Sequence, residues 1–442
     1  MNRLSKAAFK ALPFSKSPRP SLPIKNSPFS AGSKTSAIDA KSEGLRMESF
    51  SADVKCPLTS ILKVNYPTKN CEEFHPAYQV IDARGGVVDV ANEPEIDQNT
   101  AYKILRYMIR LRQMDRIFFD AQRQGQMPFY ATSEGEEGLQ MGSAAALDEK
   151  DMVFGQYREP GILMWRGFPI EKFADQCLSN EGDLGHGRQM SVHYGSKDLF
   201  YQTISSVLAT QIPQAVGAAY ALKTQGLQQI SVCYFGEGAA SLGDFHAAMN
   251  FASTLHCPIV FICRNNGYAI STPSRQQYSG DGIVSRAPGY GMASIRIDGN
   301  DPLAVYNATK TAREVALSTN RPVLIEAMTF RVGHHTTSDD WKAYRKVEEV
   351  EFFKCEKDPI NRFMVYLSNK GILNISDAKL IFEEERKAAI SAITAASKKG
   401  PPAMTEMFKD VYKFKPKSLQ EQEKSMFDHL AKYPENYKSK GC

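Results

Sequence analysis

Two short stretches combine glycine, carboxylate and amide groups in a way that suits a metal-bridged anion. The first is CYFGEGAASLGD, where Gly236, Glu237 and Gly238 follow an apolar run and open a helical one. Glycines let the backbone come close to a ligand, and unpaired N–H groups at a helix start attract an anion. Glu237 between those glycines would repel a bare phosphate, so its place makes sense with a divalent cation between carboxylate and phosphate. The second stretch is RNNGYAIST, in which Asn266 offers an amide oxygen and Tyr268 a main-chain carbonyl. Together with Glu237 these form a mainly oxygen shell of the kind Mg²⁺ prefers. Read singly, Gly-Glu-Gly is more often a tight strand–helix turn, and Asn-Asn-Gly a reverse turn. The pair is more specific, because only one helix and one strand separate the two stretches and both then fall on one sheet edge.

A third stretch, RVGHHTTSDD at residues 331–340, sets His334 and His335 against hydroxyls and two aspartates. Two adjacent histidines with no third ligand at metal spacing are weak evidence for zinc. Asp339 and Asp340 suit a capped turn. The chain has eight cysteines and no C-x-x-C pair, which fits a reduced compartment better than a disulfide framework.

These residues need elements to hold them. DMVFGQY, QISVCYF, PIVFICR, ASIRIDG and PVLIEAMTF are apolar runs of strand length, and helical stretches such as ATQIPQAVGAAYALKTQG and LGDFHAAMNFASTLH lie between them. The alternation predicts an α/β fold: a doubly wound, mainly parallel sheet with helices on both faces. Ligands bind outside the carboxyl ends of such strands, where all three stretches fall. Before the sheet, a long helix should start at the cap Asp97 and stop at Gly125, with Leu105, Met108, Ile109 and Ile117 on its apolar face. The expected organisation is a presequence and linker over 1–50, an irregular arm over 51–96, the α/β domain over 97–345 and a helical region over 346–442.

Net charge is +5, but Arg3, Lys6, Lys10, Lys16, Arg19, Lys25 and Lys34 precede the first acid, Asp39. The remainder is near neutral, so charge gives no reason to expect nucleic acid binding. The basic, Ser-rich, acid-free N-terminus has the composition of a mitochondrial transit peptide. No apolar run is long enough to span a membrane.

Gly-[Asp/Glu]-Gly followed at this separation by Asn-Asn is similar to the thiamine diphosphate motif. FGQYREPG, ISSVLATQIPQAVGAAYA, YFGEGAAS, CRNNGYAISTP, SIRIDGNDPLAVYNATK and RVGHHTTSDD extend the likeness over most of the chain from about residue 78. They resemble the alpha subunits of the 2-oxo acid dehydrogenases, and among these the branched-chain class.

The resemblance implies roles residue by residue. Glu237, Asn266 and the Tyr268 carbonyl would hold Mg²⁺. Tyr157, Arg158, Ser206, Gly238, Ala239, Arg264 and His335 would contact thiamine diphosphate, with His335 as the catalytic imidazole shuttling a proton and Gln156 in the substrate pocket. Arg158 and Arg264 each follow a strand, so each puts a forked cation at the sheet edge; a lone arginine there is otherwise a surface ion pair. Ser205, Val207, Thr210 and Gln211 of SSVLATQ would bind K⁺, with valine where the family has proline. Thr336 stands where the family carries a serine phosphorylated by a dedicated kinase, and Lys346 replaces the second such serine. The implied partners are a beta subunit in a two-plus-two heterotetramer, a lipoyl-bearing acyltransferase core, a regulatory kinase and phosphatase, and a small 2-oxo acid, in the mitochondrial matrix. The glutamate that activates the cofactor belongs to the beta subunit, so the chain should be inactive alone. The nearer alternative is an alpha subunit acting on pyruvate or a mixed set of 2-oxo acids. The farther one is a non-catalytic paralogue that binds partners.

Overall fold

The computed structural model describes residues 47–49, 55–64 and 75–437, all within the unit formed by residues 45–442. Of the presequence and linker expected over 1–50, all but residues 47–49 lies outside the described residues, and those three form a strand paired with the strand Lys55–Thr59 rather than linker. Strands β1 (Met47–Ser49), β2 (Lys55–Thr59) and β3 (Ala77–Tyr78) come first, followed by helices α1 (Gln98–Arg123) and α2 (Glu137–Ala146). Then come β4 (Met152–Phe154), α3 (Pro160–Trp165), α4 (Ile170–Cys177), β5 (Tyr201–Gln202), α5 (Gln211–Thr224), β6 (Ser231–Gly236), α6 (Gly243–Thr254) and β7 (Ile259–Asn265). A small hairpin, β8 (Tyr268–Ala269) and β9 (Thr272–Pro273), leads through α7 (Ser274–Gln277) and α8 (Ala287–Tyr290) to β10 (Ala293–Asp298), α9 (Pro302–Thr319) and β11 (Val323–Met328). Helices α10 (Val347–Glu356), α11 (Pro359–Asn369), α12 (Ile375–Ala396) and α13 (Lys417–Lys432) close the chain.

The nine-stranded sheet runs β1-β2-β3-β10-β11-β7-β6-β4-β5. Every pairing is parallel except the edge pair β1–β2. All residues of β7, β10 and β11 are buried, as expected of parallel strands covered on both faces. On one face α5 and α6 pack Ile212, Ala215, Ala219, Phe245, Ala248 and Ala252 against Cys233, Phe235 and Phe261. On the other, α1, α2 and α9 meet Val232, Tyr234, Val260, Ile262 and Ile325. Strand alternation thus produces the doubly wound layers the sequence predicts.

Helix α1 starts where expected: Asp97 Oδ1 accepts the Thr100 N–H at 3.0 Å. Leu105, Met108 and Ile109 are buried, and Ile117 packs against the same core. The arm over 51–96 differs from expectation, because Lys55–Thr59 and Ala77–Tyr78 extend the sheet. Their pairing with β10 involves a single register position, too short to leave a period in the sequence. Asp301 helps hold this edge: Oδ2 accepts the N–H groups of Val80 and Ile81, while Oδ1 caps α9. The C-terminal helices share the main core, since Ile360, Phe363, Leu367, Ala389, Ala392 and Ala396 cluster with α1. Glu385 of α12, almost fully buried, accepts from both Arg106 and Arg110 of α1.

Candidate active site

The carboxyl ends of β4, β6, β7 and β11 lie side by side, and each leads into a loop that carries polar groups. Register pairs Gly236 with Arg264, and Asn265 with Met328. The chain therefore brings Tyr157, Arg158, Gly236 to Ala239, Arg264, Asn266, Tyr268 and His335 around one cavity. An adjoining cavity shares Gln156, Tyr157, Leu208, Ile270 and His335, and adds His193, Ser205, Ser206 and Thr336.

Buried carboxylates organise these loops. Glu159 Oε2 accepts the N–H groups of Gln156 (2.7 Å) and Tyr157 (3.1 Å), and Oε1 accepts from Arg264 Nε. Gln156 in turn accepts the Gly236 N–H at 3.0 Å, which ties the β4 loop to the Gly-Glu-Gly turn. Glu136 Oε1 accepts from Asn266 Nδ2 and from Thr329 Oγ1, each at 3.0 Å, and its Oε2 faces Arg264. Burial would raise the Glu136 carboxyl, but the Arg264 and Arg158 guanidiniums hold it below the usual range. Its contact fixes the nitrogen end of the Asn266 amide, so Oδ1 turns the other way, where it accepts the Tyr268 N–H at 3.2 Å and keeps a second lone pair. The neighbouring Asn265 is structural: Nδ2 donates to Tyr278 and Glu326.

Glu237 differs from the other two. It is 2% exposed, and Oε1 has no hydrogen-bond partner. Burial pushes its carboxyl up to about 7. A buried carboxylate oxygen without a partner costs several kcal/mol, and a cation would supply that partner. Gly238 allows the loop to sit this close: a Cβ there would lie 2.7 Å from the Ala269 Cβ. A Cβ on Gly236 would project between Gln156 and Arg264 into the space in front of the guanidinium.

Arg158, Arg264 and Arg331 line the same cavity, and Arg345 packs beside it on the Tyr268 ring. Arg158 donates to the carbonyls of Thr132 and His335. Arg331 donates to the Ile270 carbonyl at 2.9 Å and to Tyr344 Oη at 2.7 Å. Arg345 donates to the Arg331 carbonyl. Nitrogens of Arg264, Arg331 and Arg345 are buried without partners. Burial pushes Arg331 down to about 10, helped by Arg158 and Arg345. Mutually repelling cations with unpaired N–H groups make an anion site, and the orphaned Glu237 oxygen beside them fits a cation bridging to that anion. This donor set matches a diphosphate with Mg²⁺.

His335 departs from the expected titrating imidazole. Nδ1 accepts from Arg158 at 3.1 Å and from Arg331 at 2.9 Å. Burial and those guanidiniums push the ring down to about 2. The ring is therefore neutral, its proton sits on Nε2, and it faces the cavity as a donor. His334 shapes the loop instead, stacking on Phe119 at 6.2 Å and accepting the Trp341 N–H. Asp339 accepts the His335 N–H and the Tyr344 hydroxyl, and Asp340 caps the turn at Lys342, as their structural reading predicts. Thr336 is half-buried and hydrogen-bonded to Ser338 at 3.0 Å. Lys346 caps α10.

The SSVLATQ segment forms the turn into α5. The Val207 carbonyl accepts the Thr210 N–H at 3.2 Å, and Gln211 Nε2 donates to the Tyr234 carbonyl at 3.1 Å. Ser205 and Ser206 line the larger cavity, whereas Val207, Thr210 and Gln211 line neither. Reading the sequence missed Glu136, Glu159, His193, Arg331 and Arg345. Glu159 and Arg331 stood inside quoted motifs, next to Arg158 and at the head of RVGHHTTSDD; the other three carried no local signal.

A model of the family described as "Dehydrogenase E1 component" matches residues 105–405. The chain is 52% identical over 375 residues to the protein named 2-oxoisovalerate dehydrogenase subunit alpha, mitochondrial, from Homo sapiens, covering 85% of this chain and 84% of that protein. The protein of that name from Caenorhabditis elegans is 52% identical over 363 residues, covering 82% and 84%. One named 2-oxoisovalerate dehydrogenase subunit alpha 1, mitochondrial, from Arabidopsis thaliana is 48% identical over 362 residues, covering 82% and 77%. With a cluster of arginines and carboxylates at the ends of four parallel strands, and with matches of this length, the chain belongs to the dehydrogenase E1 component family, together with the 2-oxoisovalerate dehydrogenase alpha subunits.

Proposed function

We propose that this chain is the thiamine diphosphate-binding alpha subunit of a mitochondrial matrix enzyme. The enzyme oxidatively decarboxylates branched-chain 2-oxo acids and passes the acyl unit to a lipoyl-bearing acyltransferase. It works with a beta subunit, as a two-plus-two heterotetramer. The names of the relatives support the substrate class and the compartment. The observation that carries the reading is the buried, partnerless Glu237 oxygen beside Asn266 and a surplus of guanidiniums.

Glu237, Asn266 Oδ1 and the Tyr268 carbonyl would hold Mg²⁺. Arg158 and Arg264 would hold the diphosphate, while Gly238 and Ala239 would offer backbone at close range. Bound thiamine diphosphate supplies a nucleophilic carbon and an electron sink for the loss of CO₂. Within the chain, His335 donates from Nε2–H, and Arg158 and Arg331 keep the ring neutral and aimed. Tyr157, edge-on to His335 with centroids 6.0 Å apart, helps wall off water. Gln156, Ser206 and apolar side chains such as Leu208 and Ile270 line the adjoining cavity, which suits a branched aliphatic substrate. Ser205, the Val207 carbonyl, Thr210 and Gln211 Oε1 bind K⁺, which braces the turn that presents Ser206. Thr336 is the regulatory hydroxyl of the histidine loop, open to a kinase and a phosphatase. A paralogue that only binds partners would have no use for a partnerless buried carboxylate.

The test is calorimetric titration of the purified chain, assembled with its beta subunit, with thiamine diphosphate and Mg²⁺. Glu237→Gln and Asn266→Ala should each weaken Mg²⁺-dependent affinity by at least about tenfold, with unchanged circular dichroism. Wild-type affinity in both variants would refute the assignment.

A further inference from the structure

His193 is a buried histidine that the roles assigned so far leave unused. It is 6% exposed and borders the larger cavity opposite His335. Its Nδ1–H donates to the Ser191 carbonyl at 3.0 Å, which leaves Nε2 facing Ser206 Oγ at 2.5 Å. With the first nitrogen committed as donor to a carbonyl, Nε2 is left to accept the Ser206 hydroxyl in a hydrogen bond.

The backbone is built to hold this ring in place. Val192, a buried β-branched residue, has φ 69°, a conformation such residues rarely adopt. Strain of this kind persists only where the surroundings impose it, and it clusters at functional sites. Both neighbours supply the constraint. Ser191 Oγ donates to the Cys177 carbonyl at 2.8 Å, and the Tyr194 hydroxyl lies 3.1 Å from Cys177 Sγ. The Tyr194 carbonyl accepts the Ile204 N–H at 3.1 Å, which sets the spacing to Ser205 and Ser206.

We propose that His193 is a positioning residue for the decarboxylation: by accepting the hydrogen bond of the Ser206 hydroxyl, it makes Ser206 a fixed hydrogen-bond acceptor on the wall of the substrate cavity. The role rests on the function proposed above. A 2-oxo acid's ketone oxygen only accepts hydrogen bonds. Attack at its carbon would move the carbonyl electron pair onto that oxygen, and a proton taken up from solvent would then make it a hydroxyl that can donate. A serine whose own proton is committed to His193 favours the later state over the free acid, so its effect falls on kcat rather than KM.

The experiment uses the alpha–beta assembly with thiamine diphosphate, Mg²⁺ and 2-oxoisovalerate. His193→Leu and Ser206→Ala should each lower kcat about tenfold with KM changed less than about twofold, the loss of one directed hydrogen bond. The double variant should be no worse than either single one, because both remove the same interaction. His193→Gln, whose amide oxygen can still accept from Ser206, should recover to within about threefold of wild type. Additive losses in the double variant, or a Gln variant as poor as Leu, would overturn the role of His193 while wild-type turnover leaves the proposed function standing. A wild-type assembly that neither binds thiamine diphosphate nor turns over would overturn both. If His193→Leu fails to assemble, the comparison of Ser206→Ala with His193→Gln and their double variant still decides.

Discussion

Glu237 and His335 show how surroundings assign a role that residue type leaves open. Both face the same cavity, and burial moves both toward neutrality: the carboxyl up to about 7 and the imidazole down to about 2. A charge on Glu237 finds no hydrogen-bond partner at Oε1. Glu237→Gln should therefore raise the melting temperature of the cofactor-free chain by about 1–3 °C, even as it weakens cofactor binding; scanning calorimetry without divalent cation checks this, and a lower melting temperature would count against it. Glu237, Asn266, Arg158 and Arg264 were legible in the sequence because each lies at or just beyond a strand's carboxyl end, Arg158 four residues after β4 and the others within one residue of the end of β6 or β7. Glu136, Arg345 and His193 were not, because none lies in a run with a strand or helix period: Glu136 reaches Asn266 and Thr329 far along the chain, and Arg345 and His193 reach Arg331 and Ser206 across loops. At the proposed K⁺ turn, the Val207 carbonyl rather than its side chain would be the ligand, so replacing K⁺ by Na⁺ should lower both thermal stability and cofactor affinity. Thr210→Ala should abolish that difference, and a wild type indifferent to the cation would remove the site.

Among the elements, the segment over residues 130–134 carries the most. Its Thr132 carbonyl holds Arg158, its Tyr130 carbonyl accepts the Thr337 N–H at 3.1 Å, and its Glu134 carbonyl accepts the Val332 N–H at 3.0 Å. It thus joins an anion-binding arginine to both ends of the histidine loop. Asp115 of α1 pins it, accepting from Tyr130 Oη at 2.8 Å and from the Ser133 N–H at 2.5 Å. Burial pushes Asp115 up to about 7. A carboxyl raised by folding stabilises the protein at low pH, and that contribution is lost as pH rises through about 7. Asp115→Asn should accordingly flatten the fall in melting temperature between about pH 4 and 7, and an unchanged slope would contradict the assignment. The sequence gives no hint of this segment, which has neither strand nor helix period. Thr336 belongs to the same loop, and phosphate there would add about −1.5 to −2 charges beside the cavity mouth. Thr336→Glu should inhibit in part, by a factor of about 2–10 for its single charge. Mass spectrometry of the 331–345 peptide after kinase treatment, read against activity, separates a regulatory hydroxyl from a plain one.

For the whole molecule, the five long apolar runs and the helices between them gave the parallel sheet directly, since buried parallel strands read as continuous hydrophobic stretches. What stayed hidden was tertiary: the short strands of the arm, which exist only by pairing with the sheet edge, and the merging of the C-terminal helices into the core beside α1. Val207, Leu208, Leu242 and Ile270 remain exposed apolar groups on segments near the cavities, a rim that suits burial by a partner. Among the described residues no helix is long and apolar enough to cross a membrane. The most direct test of the central claim is steady-state turnover of the chain, alone and reconstituted with its beta subunit, on pyruvate and the three branched 2-oxo acids. The account predicts no turnover by the chain alone and, in the assembly, kcat/KM for the branched acids above that for pyruvate by at least about tenfold, the worth of a few buried methyl groups. Clear turnover by the chain alone, or a preference for pyruvate, would contradict it.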